Sequence, residues 1–496
     1  MSLESNREVL SGLEPVAVWD RFAELTQIPR PSKLEAQARE HILDWAKQRG
    51  LDSQVDSVGN ILVRVPGRRE GKPLLLQGHI DMVCVPGKGE PNSPADFSVE
   101  LELGEDGWLR SKDGKTSVGA DNGVGVSTMM ALVDDPEVNY PPLELLFTID
   151  EEDGLDGVGG LDLSMITADR MVNMDSEDGP DLTGIASAAG RGFKAQIAPE
   201  YSPIERGNDG RLVIVRATGF QGGHSGLAIN KGIGNPLKAL VDSLSEGEVD
   251  LRQLDLMKLE GGTGKYGNVI PSSAELHMAV NNGTREELYR RIEQGSGLVN
   301  GRINQPGQIS VETAGGIDPS MRAMSTRVKH ATLDAIGMLH DGVLTRRKIP
   351  AGAPDVSSNL GWVRTGDTLD AVACIRGHNV PNLEAQFAAS KGEFTSRGFT
   401  TEDLFNYGGW EIDPDSTLLA HGEALMRGHG IEPKRWAYHC GLEVGELVMK
   451  MEAAGRSMDA IATGPMIQDV HGINERIEVA SVEKWYAYLK DFLATV

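Results

Sequence analysis

Six side chains of metal-binding type stand in order along the first part of the chain: His79, Asp81, Asp121, Glu151, Glu152 and Asp175. Each lies at the edge of an apolar run. His79 follows Leu74-Leu75-Leu76, Asp121 sits in Gly119-Ala120-Asp121-Asn122-Gly123 ahead of an apolar stretch, Glu151 and Glu152 follow the run 143–149, and Asp175 closes Arg170-Met171-Val172-Asn173-Met174. Imidazole nitrogens and carboxylate oxygens are donors that zinc takes in tetrahedral order, a catalytic ion keeping one position for water. Two such ions, about 3.5–4 Å apart, need a bridging carboxylate and further ligands for each. A carboxylate two residues after a ligating histidine can accept its other ring N–H and so fix tautomer and orientation. Adjacent glutamates at a strand end diverge, so one can bind metal while the other stays free as a general base. Glu-Glu or His-x-Asp alone is ordinary in an acidic chain. The ordered conjunction points to a di-metal site.

The elements that must position these groups read as alternating strands and helices. A helix carrying Ala38, Ile42 and Trp45 is expected behind a capping box, Ser32-Lys33-Leu34-Glu35, and ends at Gly50. Strands are expected at 60–65, at 73–76, at 143–149 and at 170–175, with a helix from Gly119 to the residues before Pro136. This alternation predicts an α/β fold with a mainly parallel sheet flanked by helices, whose ligands collect beyond the carboxyl ends of the strands. From about residue 190 the texture changes. Strands at 212–217, 274–280 and 368–375 and helices near 235–245, 320–340 and 382–397 carry no acidic cluster. After about residue 400 the α/β pattern returns, with a helix near 416–428, a strand at 459–463 and a last helix from Val479. The expected organisation is a discontinuous catalytic domain, 1–190 and 401–496, carrying an inserted α+β lid at 191–400.

Composition excludes several classes. The 496 residues hold 73 acidic and 48 basic side chains, a formal charge of −25. No basic run is present to hold phosphates, so nucleic acid is not an expected partner. No stretch approaches the roughly 18 apolar residues of a membrane span. Met1-Ser2-Leu3-Glu4-Ser5-Asn6 has neither a basic start nor an apolar core, so no signal peptide is read there. Cys84, Cys374 and Cys440 are odd in number and far apart, which fits free thiols in a reducing cytoplasm. Gly262-Thr263-Gly264-Lys265-Tyr266-Gly267 matches a dinucleotide loop by letters but follows no convincing strand and opens no helix. Gly114-Lys115-Thr116 lacks the first glycine of a phosphate loop, and neither H-E-x-x-H nor C-x-x-C occurs. His41, His277, His330, His340, His421 and His429 read as surface or core residues of helices and strands. His439 reads as a structural hydrogen-bond partner, and Cys84 and Cys440 as buried inert thiols.

The motifs Gly78-His79-Ile80-Asp81-Met82-Val83, Gly119-Ala120-Asp121-Asn122-Gly123 and Thr148-Ile149-Asp150-Glu151-Glu152 resemble the di-zinc exopeptidases related to carboxypeptidase G and carnosinase. Gly222-Gly223-His224-Ser225-Gly226, His439-Cys440-Gly441-Leu442-Glu443 and Gly464-Pro465-Met466 with His471 are similar, within them, to the bacterial aminoacyl-histidine dipeptidases. The resemblance runs from about residue 10 to the C-terminus. It implies that His79, Asp121 and Asp175 hold one zinc and Asp121, Glu152 and His471 the other. Glu151 is implied as general base, Asp81 as the partner of His79, and His224 as the lid histidine that steadies the oxyanion. Asn268, Arg376, Glu443 and Gly464 are implied as substrate-binding. The activity implied is hydrolysis of dipeptides, foremost of Xaa-His type, by a zinc-bridged water.

Three positions depart from the pattern: Cys440, the segment Ile467-Gln468-Asp469-Val470, and Gly377-His378-Asn379 after Arg376. They leave the metal ligands intact and the side-chain preference open. Manganese or cobalt could use the same ligands. An amidase, deacylase or aminopeptidase would use the same chemistry, whereas a non-enzymatic metal- or peptide-binding protein has no use for the free Glu151. The resemblance leaves open whether the lid is internally doubled or carries a homodimer interface.

Overall fold

The computed structural model describes residues 3–88, 97–206, 209–263 and 266–496. Met1 and Ser2 of the N-terminal run, and Gly264 and Lys265 of the glycine-rich near-match, lie outside the described residues. The chain forms two compact units. The first comprises Met1–Ser187, Trp410–Ala437 and Leu442–Val496, the second Ala188–Gly409 and Tyr438–Gly441.

In the first unit, four strands form the parallel centre of a mixed sheet: Leu143–Thr148, Leu74–His79, Arg170–Asn173 and Asp459–Ala462, in that spatial order. Both edges are antiparallel, through Ile61–Val65 and Asp52–Val55 on one side and Leu182–Ser187 and Trp410–Glu411 on the other. The central strands are largely apolar, as strands buried on both faces of a sheet are, and every residue of Leu74–His79 and Leu143–Thr148 is buried. After Leu74–His79 the chain returns first on one side, as Leu143–Thr148, and then on the other, as Arg170–Asn173. His79 therefore ends the strand where the winding reverses, the place at which open α/β sheets leave a crevice.

The helix Ala120–Asp134 crosses between the first two of these strands and is buried on every face from Ala120 to Val133. Its apolar residues have no single stripe because strands and the helix Val16–Leu25 surround it. The capping box does not form. The helix after it begins at Ala36 with Glu35 as cap residue and no side-chain cap bond. Ser32 Oγ instead donates to Asp81 Oδ2 at 2.8 Å, and Glu35 Oε1 accepts from the backbone of Lys33 and Asp150. A small sheet adds the hairpin Ile467–Gln468 and Arg476–Glu478, whose loop carries His471.

The second unit is a continuous antiparallel sheet with helices, and its two halves repeat one order. Gly210–Thr218, Pro236–Glu246, Leu254–Gly262, Ala274–Asn281, Arg285–Asn300 and Gln308–Gly316 follow one another as β-α-β-β-α-β, with their strands in spatial order 4-1-3-2. Ala189–Ile197, Thr326–Met338, Pro354–Thr365, Leu369–Gly377, Val380–Thr395 and Thr400–Tyr407 repeat that succession and order. Each half is thus a split β-α-β arrangement, the first spliced into the second after its opening strand. The halves join where Gly261 and Gly262 pair with Val363 and Trp362. The strand Leu254–Gly262 does lead into Thr263, contrary to the expectation, but no helix opens on this loop among the described residues. His340 lies past the end of its expected helix, and Cys84 and Cys440 are half-buried rather than buried.

No helix among the described residues is long and apolar enough to cross a membrane. Burial makes Trp485 a sharp test of the first unit's core. It is fully buried and its Nε1 donates to Thr463 Oγ1 at 3.1 Å. Trp485→Ala should cost about 3–5 kcal/mol, the usual loss on truncating a buried aromatic, and lower the calorimetric unfolding midpoint. Trp436→Ala, at a side chain 46% exposed, should leave that midpoint within a degree or so of wild type.

Candidate metal centre

The carboxyl ends of the parallel strands bring His79, Asp121, Glu151, Glu152, Asp175 and His471 together. His79 Nε2 lies 3.0 Å from Asp121 Oδ1 and 3.4 Å from Asp175 Oδ1. His471 Nε2 lies 3.2 Å from Asp121 Oδ2 and 2.8 Å from Glu152 Oε2. Two ligand sets result, His79–Asp121–Asp175 and Asp121–Glu152–His471, each able to hold a metal ion. Asp121 gives one oxygen to each set. Glu151 stands beside them, and with His79 and Glu152 it could also close on an ion.

The donor geometry fits metal. Zinc–nitrogen and zinc–oxygen bonds of about 2.0–2.2 Å place neighbouring tetrahedral ligands about 3.3–3.6 Å apart. The imidazole–carboxylate distances in the two sets run from 2.8 to 3.4 Å, at or slightly inside those edges. Charge fits as well. Burial, together with the charges of Glu152, Asp175 and Glu443, raises the Glu151 carboxyl well above its ordinary value. Burial and Asp121 push Glu152 up to about 7, with His471 opposing. Burial likewise pushes Asp175 up to about 6. Burial disfavours charge on His471, but Asp121 and Glu152 overcome it and push the imidazole up to about 12. Such crowding leaves negative charge that two imidazoles do not match, and Glu152 Oε1 is buried with no protein partner among the described residues. A divalent cation meets both needs.

The loops are held from behind. Asp81 Oδ1 lies 3.3 Å from His79 Nδ1 and also accepts the backbone N–H of Glu151, while its Oδ2 accepts from Glu152 and Ser32. One carboxylate therefore orients the histidine and fixes the turn that carries both glutamates. His471 has φ +58° and Asp150 φ +52°, left-handed conformations uncommon for such residues and frequent at functional sites. Glu443 is buried beside the sheet, where its Oε2 accepts from Thr148 Oγ1 at 2.7 Å and from Gln77 Nε2. Burial pushes it up to about 8. At Gly464 an added Cβ would sit 1.7 Å from the Ser176 carbonyl oxygen, so close backbone approach alone requires glycine there.

Two groups escaped the sequence reading. Glu475 is buried and accepts four backbone N–H bonds, from Val118, Gly119, Ala120 and Asp121, at 2.7–3.2 Å. It ties the loop of His471 to the loop of Asp121. Glu177, raised well above its ordinary value by burial and by Asp121 and Asp175, lies next to the ligands. Its spacing, two residues after Asp175, was the available signal. Nothing in the sequence marks Glu475.

The remaining candidates lie in the second unit. His224 sits on the short strand Gly223–His224, paired with Val269–Ile270, and its Nε2 is 3.3 Å from Arg376 Nη2. Arg376 is buried, with Nε donating to Ser225 Oγ at 3.1 Å and Nη1 donating to Tyr407 Oη. The backbone oxygen of Asn268 accepts from Ser225 N. His439 donates to or accepts from Ser357 Oγ at 2.7 Å.

Comparison with known proteins agrees with this architecture. No protein-family model matches the chain. The cytosol non-specific dipeptidase of Escherichia coli is 29% identical over 498 residues, covering 98% of this chain and 99% of the relative. The crystal structure of aminoacylhistidine dipeptidase from Vibrio alginolyticus superposes with a TM-score of 0.83 at 24% identity, covering 98% of each chain. A tripeptidase structure from Staphylococcus aureus follows at TM-score 0.56 and 15% identity, over 97% of this chain and 98% of that one.

If Glu475 holds Asp121 in place, Glu475→Ala should weaken metal binding by roughly tenfold to a hundredfold, the range for residues behind a metal ligand. Isothermal titration of the metal-stripped chain reads this. An unchanged affinity would show that the Asp121 loop stands without it.

Proposed function

We propose that this chain, a homologue of the E. coli cytosol non-specific dipeptidase with the fold of aminoacylhistidine dipeptidase, is a hydrolase that cleaves dipeptides with the help of two bound metal ions. The observation that carries the reading is the shared carboxylate of Asp121 between two ligand sets, with Glu151 left over beside them. Zinc is our assignment for both ions, held by His79, Asp121 and Asp175 and by Asp121, Glu152 and His471. Bound there, the metal supplies positive charge that acidifies water and polarises the peptide carbonyl.

The chain's own groups divide the rest of the work. Glu152 ligates and must stay ionised, so it cannot also carry a proton. Glu151 accepts the proton of the attacking water and returns it to the leaving amine. Asp81 keeps the Nδ1 proton of His79 in place, so that Nε2 presents its lone pair. His224 serves as the oxyanion donor, and Arg376 and Asn268 as binders of the peptide's terminal carboxylate. Arg376 suits that role because the groups it bonds to, Ser225, Tyr407 and His224, are not carboxylates. We assign Glu443 and Gly464 to substrate binding as well. Xaa-His dipeptides are the first substrates to try, on the strength of the Vibrio protein's name. A cytoplasmic location goes with this reading, supported by the name of the E. coli relative and by three free thiols.

A dipeptide panel with and without chelator tests the reading. Release of free amino acids should stop on chelation and return with zinc; release from amides or N-acyl amino acids, with dipeptides untouched, would overturn it. The two glutamates separate the mechanism. Glu151→Gln should keep both metals and bind dipeptide, yet turn over at least several hundredfold more slowly. Glu152→Gln should lose metal affinity and recover part of its activity with added zinc. The division of labour fails if Glu151→Gln loses its metal while Glu152→Gln keeps both. His224→Ala should retain metal while kcat falls on the order of a hundredfold or more, the scale of one lost oxyanion donor. Metal loss in that variant would make His224 a ligand instead.

A further inference from the structure

Three cross-strand partners stand in one row of the second unit: Tyr407, Gly190 and Arg376. Partners in a row share a face of the sheet. The middle one has no side chain, so the outer two meet over it, and Arg376 Nη1 donates to Tyr407 Oη. A Cβ added at Gly190 would sit 2.2 Å from Tyr407 Cζ, so that space belongs to the phenol ring. One added at Gly441 would sit 2.8 Å from Cε2 of the same ring. Phe405 stacks on it, with centroids 5.7 Å apart and planes 10° apart, and itself pairs across the strands with Gly192. The phenol is held in a slot that two glycines and an aromatic ring define.

More donors than acceptors stand at this slot. A guanidinium has five N–H donors. Arg376 spends one each on Ser225 Oγ, Tyr407 Oη and His224 Nε2, which leaves one on each Nη nitrogen. It is buried, and no carboxylate among the described residues bonds to it. A buried cation without an anion is costly. The Tyr407 oxygen accepts from Arg376 Nη1 and from the backbone N–H of Gly441, which fills its two acceptor sites. Its own O–H is left over and donates to no described residue. Burial raises this phenol above its ordinary value, with Arg376 and Gly441 opposing, so the proton is present at neutral pH. Two N–H groups of a cation and one O–H beside them match an anion with two oxygens.

We propose that Tyr407 is a further substrate-binding residue, its O–H donating to the C-terminal carboxylate of a dipeptide. This rests on the function proposed above, which gives that carboxylate to Arg376. The phenol adds a discrimination that the guanidinium alone lacks. A carboxylate oxygen accepts the O–H, whereas the NH2 of a C-terminal amide is itself a donor and leaves the O–H unmet. A continuing peptide chain presents an N–H at the same place and is refused for the same reason.

Calorimetric titration of the full chain with the reduced dipeptide Ala-ψ(CH2NH)-Ala and its C-terminal amide tests this without turnover. The acid should bind at least fiftyfold more tightly than the amide. Tyr407→Phe keeps the ring in its slot and should cut that ratio roughly tenfold or more, the scale of one hydrogen bond to a charged group. Should Tyr407→Phe fail to fold, Tyr407→Met reads the same ratio. Ser225→Ala removes an acceptor from Arg376 but no donor from the anion, and should leave the ratio within threefold. Equal binding of acid and amide, no binding of the acid, or an undiminished ratio in Tyr407→Phe overturns the assignment. An equal loss in Ser225→Ala overturns it too, since the phenol would then act only by anchoring Arg376. Failure to cleave any dipeptide would instead overturn the proposed function, while the uncleaved probes still decide the role of Tyr407.

Discussion

One carboxylate, Asp121, faces two imidazoles at once, and much of the first unit is arranged around that fact. Its oxygens lie 3.0 Å from His79 Nε2 and 3.2 Å from His471 Nε2. Those histidines come from opposite ends of the chain, one at a strand end and one in a hairpin loop. Burial opposes ionisation of Asp121, yet the two rings hold it well below the ordinary carboxylate range. The neighbouring acids, Glu151, Glu152 and Asp175, go the other way. Negative charge is concentrated there beyond what the imidazoles neutralise, which is the condition under which a buried site takes up cations.

Backbone amides make this concentration stable. Asp81 takes the N–H groups of Glu151 and Glu152, and Glu475 takes four from the stretch Val118 to Asp121. Such bonds favour the ionised carboxylate: with His79 and Ser32 they hold Asp81 below its ordinary value, and at Glu475 they oppose the burial that raises it. Arg30 completes the set from a buried position, with Nη1 donating to the carbonyls of Ile80 and Asp81 and Nη2 to that of Gly119. The ligand-bearing loops are thereby fastened by groups that leave the ligand atoms themselves unspent.

Much of this was legible in residue order. Apolar runs ending in His79, Glu151 and Asp175 gave the parallel strands and the crevice side of the sheet, because a strand buried on both faces must read as a continuous apolar run. Other features had no local signature. Ser32 and Glu35 have the letters of a capping box, but Asp81 and the Asp150 backbone compete for them and win. The strand Leu254–Gly262 was hidden by Lys258 and Glu260, which pair with each other, Lys258 also donating to Glu275 across the sheet. The helix Arg285–Asn300 buries only Leu288, Ile292, Gly295 and Val299, too few to show against its charged surface. His471 was reached by resemblance alone, and Glu475 bonds to backbone, which any sequence offers.

The repeated β-α-β-β-α-β order of the second unit answers a question the sequence left open, since its halves share strand order without visible sequence repetition. Asp121 is the one side chain on which both ligand sets, His79–Asp121–Asp175 and Asp121–Glu152–His471, depend. Metal content per chain, measured by mass spectrometry after dialysis against trace free zinc, tests it most directly. The wild-type chain should hold two equivalents and Asp121→Ala close to none, because one side chain serves both sets. Retention of one or two full equivalents by folded Asp121→Ala would contradict a shared carboxylate.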